Sequence, residues 1–204
     1  MAVLSDHPVN QKRREAGKNP ANAIWLWGEG KKPALQSFQE TYGKKGAVIS
    51  AVDLVKGIGR CAGMDVIEVA GATGNLHTNY AGKAKAALEA LQQGADLVYV
   101  HIEAPDECGH QADREGKMYS IEKIDTEVIG WLMEQMQGTD YRMLVMPDHP
   151  TPLVLRTHTD EPVPFVIYDS TKVLERPAQF SDTAKASLYV EEGYKLMARF
   201  LDID

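Results

Sequence analysis

The sequence has little with which to staple a chain, span a bilayer or coat a nucleic acid. Its two cysteines, Cys61 and Cys108, sit in unrelated contexts, which excludes a disulfide framework and makes a reducing compartment the default. No apolar run approaches the ~20 residues needed to cross a membrane, and no N-terminal stretch looks like a signal peptide. The expectation is a cytoplasmic, soluble chain with no membrane partner. No basic run is long enough to track a phosphodiester backbone, and the net charge is −7 with both signs mixed along the chain, so no nucleic-acid partner is expected. Internal repeats and low-complexity segments are absent. So are a Walker A motif and a kinase-type glycine-rich loop, which argues against ATP binding by those means.

What is present is ordinary globular material: 204 residues, 44% apolar and 25% charged, enough for one well-buried core. Residues 1–22 are polar and read as a lead-in segment, with the folded domain expected over 23–204. Short apolar runs predict strands at Ala23–Trp27, Ala47–Ser50, Val66–Ala70, Asp96–Ile102, Tyr141–Met146 and Val163–Tyr168. Between them, helices are expected at Pro33–Tyr42, from Val52 to near Gly63, and at Ala81–Gln93, the last stopped by Gly94. A further helix is expected over Arg114–Gln137, with Met118, Ile121, Ile124, Val128, Leu132 and Met136 as its apolar face, and a last one over Ala184–Leu201. Strand–helix alternation makes this an α/β fold with a mostly parallel sheet and helices on both faces. Trp25, Trp27, Val98, Val100, Leu144, Val145 and Val166 lie in unbroken apolar runs and are expected to be buried.

In such sheets chemistry gathers at the C-terminal ends of strands. The two loops richest in His and Asp follow the strands ending at Ile102 and Met146. One carries Asp106 and His110, four residues apart, which can converge on one metal if the segment forms a helical turn. The other carries Asp148–His149 between Pro147 and Pro150, and then His158. Carboxylate with imidazole suits zinc, manganese or iron better than calcium. Each piece alone also reads as a solvated turn or a surface histidine. Together, at one sheet edge, they read as a metal site.

The stretches Glu103-Ala-Pro-Asp-Glu-Cys-Gly-His110 and Met146-Pro-Asp-His-Pro-Thr-Pro152, with His7-Pro-Val-Asn10, Gly71-Ala-Thr-Gly74 and the run from Ala23 to Gly74 between them, resemble the cofactor-independent phosphoglycerate mutases of the alkaline phosphatase superfamily. The likeness is closest to their archaeal-type subgroup, whose bacterial members have also been called homoserine kinases. It covers nearly the whole chain and implies an alkaline-phosphatase-like core lacking its N-terminal segment. It implies two divalent metal ions (Mn, Zn or Mg), with Asp106, His110 and His158 matching the ligands of one and Asp148 and His149 matching ligands of the other. The second metal of that family also takes an Asp from an Asp-Gly motif and a Ser or Thr nucleophile. No Asp-Gly-x-x-Asp motif stands before Asp106, and intact chains of the family are about twice as long. The resemblance therefore implies the C-terminal part of a longer enzyme, inactive by itself, binding one metal or none, and prone to self-association through surface that a missing half uncovers.

The implied reaction interconverts 2- and 3-phosphoglycerate through a phosphoenzyme, with the substrate a phosphorylated small molecule. Basic residues must hold its phosphate and carboxylate. Arg13, near His7–Asn10, and Lys83, after Thr78-Asn79-Tyr80, are the candidates, the alternative for each being a solvated surface charge. Thr73 and Asn75 could line the same cleft or simply satisfy a turn. The competing readings are a homoserine kinase and a non-catalytic domain that keeps the fold.

Overall fold

The computed structural model describes residues 2–26, 29–172, 180–181 and 188–203. The chain divides into two compact units, 1–34 and 35–204. That packing boundary lies well beyond the Asn22 boundary read from composition.

The first unit has two short helices, α1 (Ala2–Ser5) and α2 (Pro8–Glu15), and its other described residues are irregular. Pro8 opens α2 where its missing N–H costs nothing, and the His7 side chain accepts the Val9 N–H. Asn10 is the buried pin of this unit. Its amide donates to the carbonyls of Leu4 and Ala21 and its oxygen accepts the Ala21 N–H. The strand expected at Ala23–Trp27 does not form over its described residues, and Trp25 is 86% exposed rather than buried. Apolar composition alone does not make a strand when no ladder partner lies in its own unit. Trp27 lies outside the described residues.

In the second unit, α3 (Phe38–Tyr42) is shorter than expected because Ser37 and Glu40 form a capping box that fixes its start. The helix thus begins beyond Pro33 and leaves Leu35 exposed. Strand β1 (Gly46–Ile49), helix α4 (Asp53–Cys61), strand β2 (Asp65–Ile67), helix α5 (Tyr80–Gln92) and strand β3 (Leu97–Val100) then alternate as the sequence pattern implies. Gly94, at φ +98°, ends the α5 turn. The three strands form a parallel sheet in the order β2-β1-β3. Central β1 is buried along its whole length, down to 0% exposure at Ile49.

Helix α6 (Ala104–His110) follows β3 directly, and α7 (Arg114–Lys123) runs into a π-helical stretch, Ile124–Gly130, and then α8 (Trp131–Gln135). The buried residues along this run are Gly116, Ser120, Val128 and Leu132, with Ile124 packed against the core, a spacing of four. Met118 and Ile121, expected on the same face, are each 52% exposed. A stripe spaced by four drifts off one face of an α-helix with 3.6 residues per turn. The wider π turn takes up that drift, so the register read from α-helical periodicity is wrong at the N-terminal end. The core joins Tyr80 and Ala84 of α5 to Ala104, Val128 and Leu132.

Strands β4 (Arg142–Val145) and β5 (Val166–Asp169) form a separate antiparallel ribbon. The parallel expectation fails here because the Met146–Phe165 connection contains no helix, and only a crossover segment lets consecutive strands run parallel. Val98, Val100, Leu144, Val145 and Val166 are half-buried rather than buried. Among the described residues β3 is an edge strand and the ribbon has two strands, so each has uncovered surface. A 3₁₀ turn (Gly193–Lys195) leads into α9 (Leu196–Leu201). The helix expected from Ala184 is not present at 188–192, and Ala184–Ser187 lie outside the described residues. Arg142 ties α9 to the ribbon by reaching Asp169, the Phe200 carbonyl and Asp202.

The helix register is directly testable. Leu132→Ala should cost about 2–5 kcal/mol in urea unfolding, whereas Met118→Ala should stay within about 0.5 kcal/mol. Equal losses would restore the α-helical face and remove the π register.

Candidate metal centre

Two stretches of chain meet beyond the C-terminal ends of β3 and β4. Helix α6 carries Asp106 in its first turn and His110 in its last, so four-residue spacing puts both on one side. The long loop after β4 brings Asp148, His149, Thr151 and His158. It is pinned by Thr151, which is 5% exposed. The Thr151 hydroxyl donates to Asp106 Oδ1, and its carbonyl accepts from Lys117 Nζ at 2.8 Å. A Cβ on Gly109 would stand 2.6 Å from that same carbonyl oxygen, so only glycine lets loop and helix approach this closely.

The ligating atoms of Asp106, His110 and His158 lie within 4.8 Å of one another. His110 Nε2 is 3.2 Å from Asp106 Oδ2, His158 Nε2 is 3.3 Å from Asp106 Oδ1, and the two Nε2 atoms are 3.1 Å apart. Ligands held at 2.0–2.2 Å in a tetrahedral site stand about 3.3–3.6 Å from each other, so this triangle is close to the spacing one shared ion needs. His110 Nδ1 lies 3.0 Å from the Arg156 carbonyl. A carbonyl only accepts, so Nδ1 carries the proton and, in the neutral ring, Nε2 is a bare lone pair facing a carboxylate. That juxtaposition is unfavourable unless a cation or a proton sits between them. The Arg156 hydrogen bond, with Asp106 beside the ring, raises the His110 pKa above the usual histidine value.

His149 stacks against His158 with ring centroids 3.8 Å apart, and its Nε2 lies 3.5 Å from Asp148 Oδ2. Asp148, with 58% of its side chain exposed, is the most open of the five. All five candidate ligands thus share one neighbourhood. Lys83 is fully buried, and its ammonium donates to the His101 carbonyl at 2.9 Å. Burial lowers its pKa to about 8, against the opposing pull of Glu103. Arg13 belongs to the first unit, where its Nε donates to the Asn19 carbonyl. Thr73 and Asn75 bond each other, and Thr73 N–H donates to Thr78, which is the turn-satisfying role of the two readings.

Three groups escaped sequence reasoning. Thr151 looks like a loop threonine until its contacts are seen. Glu103 and Glu107 place two more carboxylates within 4.8 Å of Asp106; their closeness along the chain was the available signal. His101 stands just past β3, and its position at a strand end was the signal there.

A model of the metalloenzyme superfamily matches residues 3–190. The chain belongs to the metalloenzyme superfamily. Within it, the chain is 53% identical to a probable 2,3-bisphosphoglycerate-independent phosphoglycerate mutase of Geobacter sulfurreducens, over 98% of this chain and 51% of that one. It is 57% identical to the 2,3-bisphosphoglycerate-independent phosphoglycerate mutase of Methanosarcina acetivorans, over 81% and 42%. A solved structure from Pyrococcus horikoshii superposes with a TM-score of 0.69 at 35% identity, covering 82% of this chain and 44% of that one. The cofactor-independent phosphoglycerate mutase of Thermoplasma acidophilum gives 0.58 at 27% identity, covering 99% and 48%. The chain spans about half the length of the curated relatives it matches. Membership accords with the donor set: mixed carboxylate and imidazole, spaced for a divalent ion.

Calorimetric titration with Mn²⁺ tests the triangle. The wild-type chain should bind more tightly than His110→Ala by at least about tenfold, and less tightly as pH falls from ~8 to ~6, because the ion must displace the proton that Asp106 and Arg156 favour on His110. Equal binding by the two proteins would dismiss the assignment.

Proposed function

We propose that this chain supplies the metal-binding part of a phosphoryl-transfer site and serves a 2,3-bisphosphoglycerate-independent phosphoglycerate mutase that interconverts 2- and 3-phosphoglycerate. The observation that carries the reading is the convergence of Asp106, His110 and His158 into one ligand triangle beside Asp148 and His149, in a chain whose relatives bear that enzyme's name. Those names favour the mutase over the homoserine kinase.

In this reading Asp106, His110 and His158 would hold one divalent ion (Mn, Zn or Mg), and Asp148 and His149 would contribute to a second. When bound, such ions neutralise phosphate charge and lower the pKa of an attacking hydroxyl. The protein's own part is to orient the ligands and the substrate. Arg156 and Thr151 fix His110 and Asp106 respectively. Lys83 is fully buried and donates to the His101 carbonyl; in this proposal its charge favours an anion bound near Glu103 through the field rather than by direct contact. Arg13 is the other basic candidate read from the sequence.

Among the described residues, Thr151 brings a hydroxyl to the ligand triangle, and it is buried with its proton committed to Asp106. It is therefore not the hydroxyl that takes the phosphate. The nucleophile of a phosphoenzyme mechanism comes, in this proposal, from polypeptide beyond these 204 residues. The exposed Tyr99 on edge strand β3 supports association of the isolated chain with itself.

The Mn²⁺-loaded chain should bind 3-phosphoglycerate, seen by calorimetry and by paramagnetic broadening of its ³¹P signal, without converting it to 2-phosphoglycerate. Lys83→Met, which keeps the buried stem and removes the charge, should weaken that binding roughly threefold to tenfold, the scale of losing one nearby positive charge. Turnover by the purified chain would place the nucleophile within it. ATP consumption with homoserine, and no binding of phosphoglycerate, would replace the mutase reading with the kinase.

A further inference from the structure

The sheet delivers two residues to its C-terminal rim that belong to neither ligand set. Ser50 follows β1 and His101 follows β3, and the Ser50 Oγ lies 3.3 Å from His101 Nδ1. The hydroxyl oxygen already accepts the Val52 N–H at 2.9 Å. Its proton is left to donate, and His101 Nδ1 is nearer than the alternative, the Val52 carbonyl at 3.5 Å. Nδ1 is then the acceptor, and the proton of the neutral ring resides on Nε2. Burial keeps His101 below the ordinary histidine range, against the pull of Asp148, which favours that neutral form.

The backbone of His101 is fixed as well. Lys83, fully buried, clamps the His101 backbone carbonyl. Tyr99, two residues back on the same side of the strand, lies nearly parallel to the imidazole at 6.4 Å between centroids. His101 stands two residues before Glu103, whose carboxylate lies within 4.8 Å of those of Asp106 and Glu107, so the rim at the end of β3 adjoins the cluster to which Asp106 belongs.

We propose that His101 is a preset Nε2–H donor to a phosphate oxygen bound at the centre to which Asp106 belongs, and that Ser50 is the positioning residue that fixes its tautomer. The inference rests on the reading of this centre as a phosphate site and assigns it a neutral donor. The neutrality has a physical use. Beside one or two divalent ions an imidazolium is repelled, whereas a neutral N–H binds an anionic oxygen without adding positive charge. The pair does not act as a serine nucleophile with its base. Ser50 is 4% exposed and its oxygen is engaged by Val52 and His101, so no phosphorus atom can reach it.

Two measurements test this. In the ¹⁵N-labelled chain, long-range ¹H–¹⁵N correlations should show His101 protonated at Nε2; protonation at Nδ1 would overturn the proposal whatever the chain binds. Inorganic phosphate is then titrated into the Mn²⁺-loaded wild type, His101→Ala, His101→Gln and Ser50→Ala, with Mn²⁺ stoichiometry counted by electron paramagnetic resonance. His101→Ala should weaken phosphate binding roughly tenfold, about 1.4 kcal/mol, and leave Mn²⁺ stoichiometry unchanged. His101→Gln, which keeps an N–H at nearly the same reach, should recover most of the loss. Ser50→Ala should lose roughly threefold and show mixed His101 tautomers. Unchanged phosphate binding in His101→Ala defeats the inference, as does a loss of Mn²⁺ in step with phosphate, which would make His101 a metal ligand. A wild type that holds Mn²⁺ but no phosphate defeats the phosphate-site reading and this inference together. A wild type that binds phosphate while His101→Ala binds it equally leaves that reading standing and removes this inference alone.

Discussion

The contact on which the centre depends is the one between Thr151 and helix α6. A hydroxyl donated to Asp106 and the bare Cα of Gly109 fasten a long irregular loop to α6, and Lys117 of α7 holds the same residue's carbonyl. Once fastened, the loop must pass His149 and His158 over the same carboxylate and bring the Arg156 carbonyl to His110. Loops of this length have little structure of their own. Here two hydrogen bonds and one close approach at a single residue hold the loop in place, and the geometry of three ligands follows from them.

The acidic character of the neighbourhood follows from the same arrangement. Asp106, Glu103 and Glu107 crowd one turn of α6, with Asp148 opposite. Burial first, and the neighbouring carboxylates next, raise the Glu103 pKa. Lys83, buried and bonded to the His101 carbonyl, offsets part of that charge at Glu103. A divalent ion among such groups relieves repulsion as well as gaining ligands, so metal binding and the local charge balance are one problem.

Much of this was legible in the sequence because it is local. Strand β1 and helix α5 announce themselves by apolar runs and helix-forming composition, and the Asp106–His110 pair by its spacing. What was illegible depends on partners. Trp25 sits in an apolar run that finds no ladder, and the half-buried Val98 and Leu144 lie on strands whose second neighbours are not among the described residues. The ribbon of β4 and β5 turns antiparallel because the connection lacks a helix, a fact visible in the polar run Pro147–Glu161 but outweighed by the alternation elsewhere. The π stretch left a trace in the spacing of Gly116, Ser120, Ile124, Val128 and Leu132, where small residues hid the stripe from a hydrophobicity count. His101 and Ser50 are distant in sequence and adjacent only through the pairing of β1 with β3, so no motif could have joined them.

His110 takes its orientation from a main-chain oxygen, that of Arg156, a residue itself in the left-handed region at φ +56°. A side-chain partner could be replaced by mutation; a peptide carbonyl is present whatever residue occupies the position. Between Thr151 and His158 the chain is thus constrained in path and length more than in composition. Substitutions there can accumulate silently, while a single inserted or deleted residue would swing the carbonyl away and turn the imidazole with it.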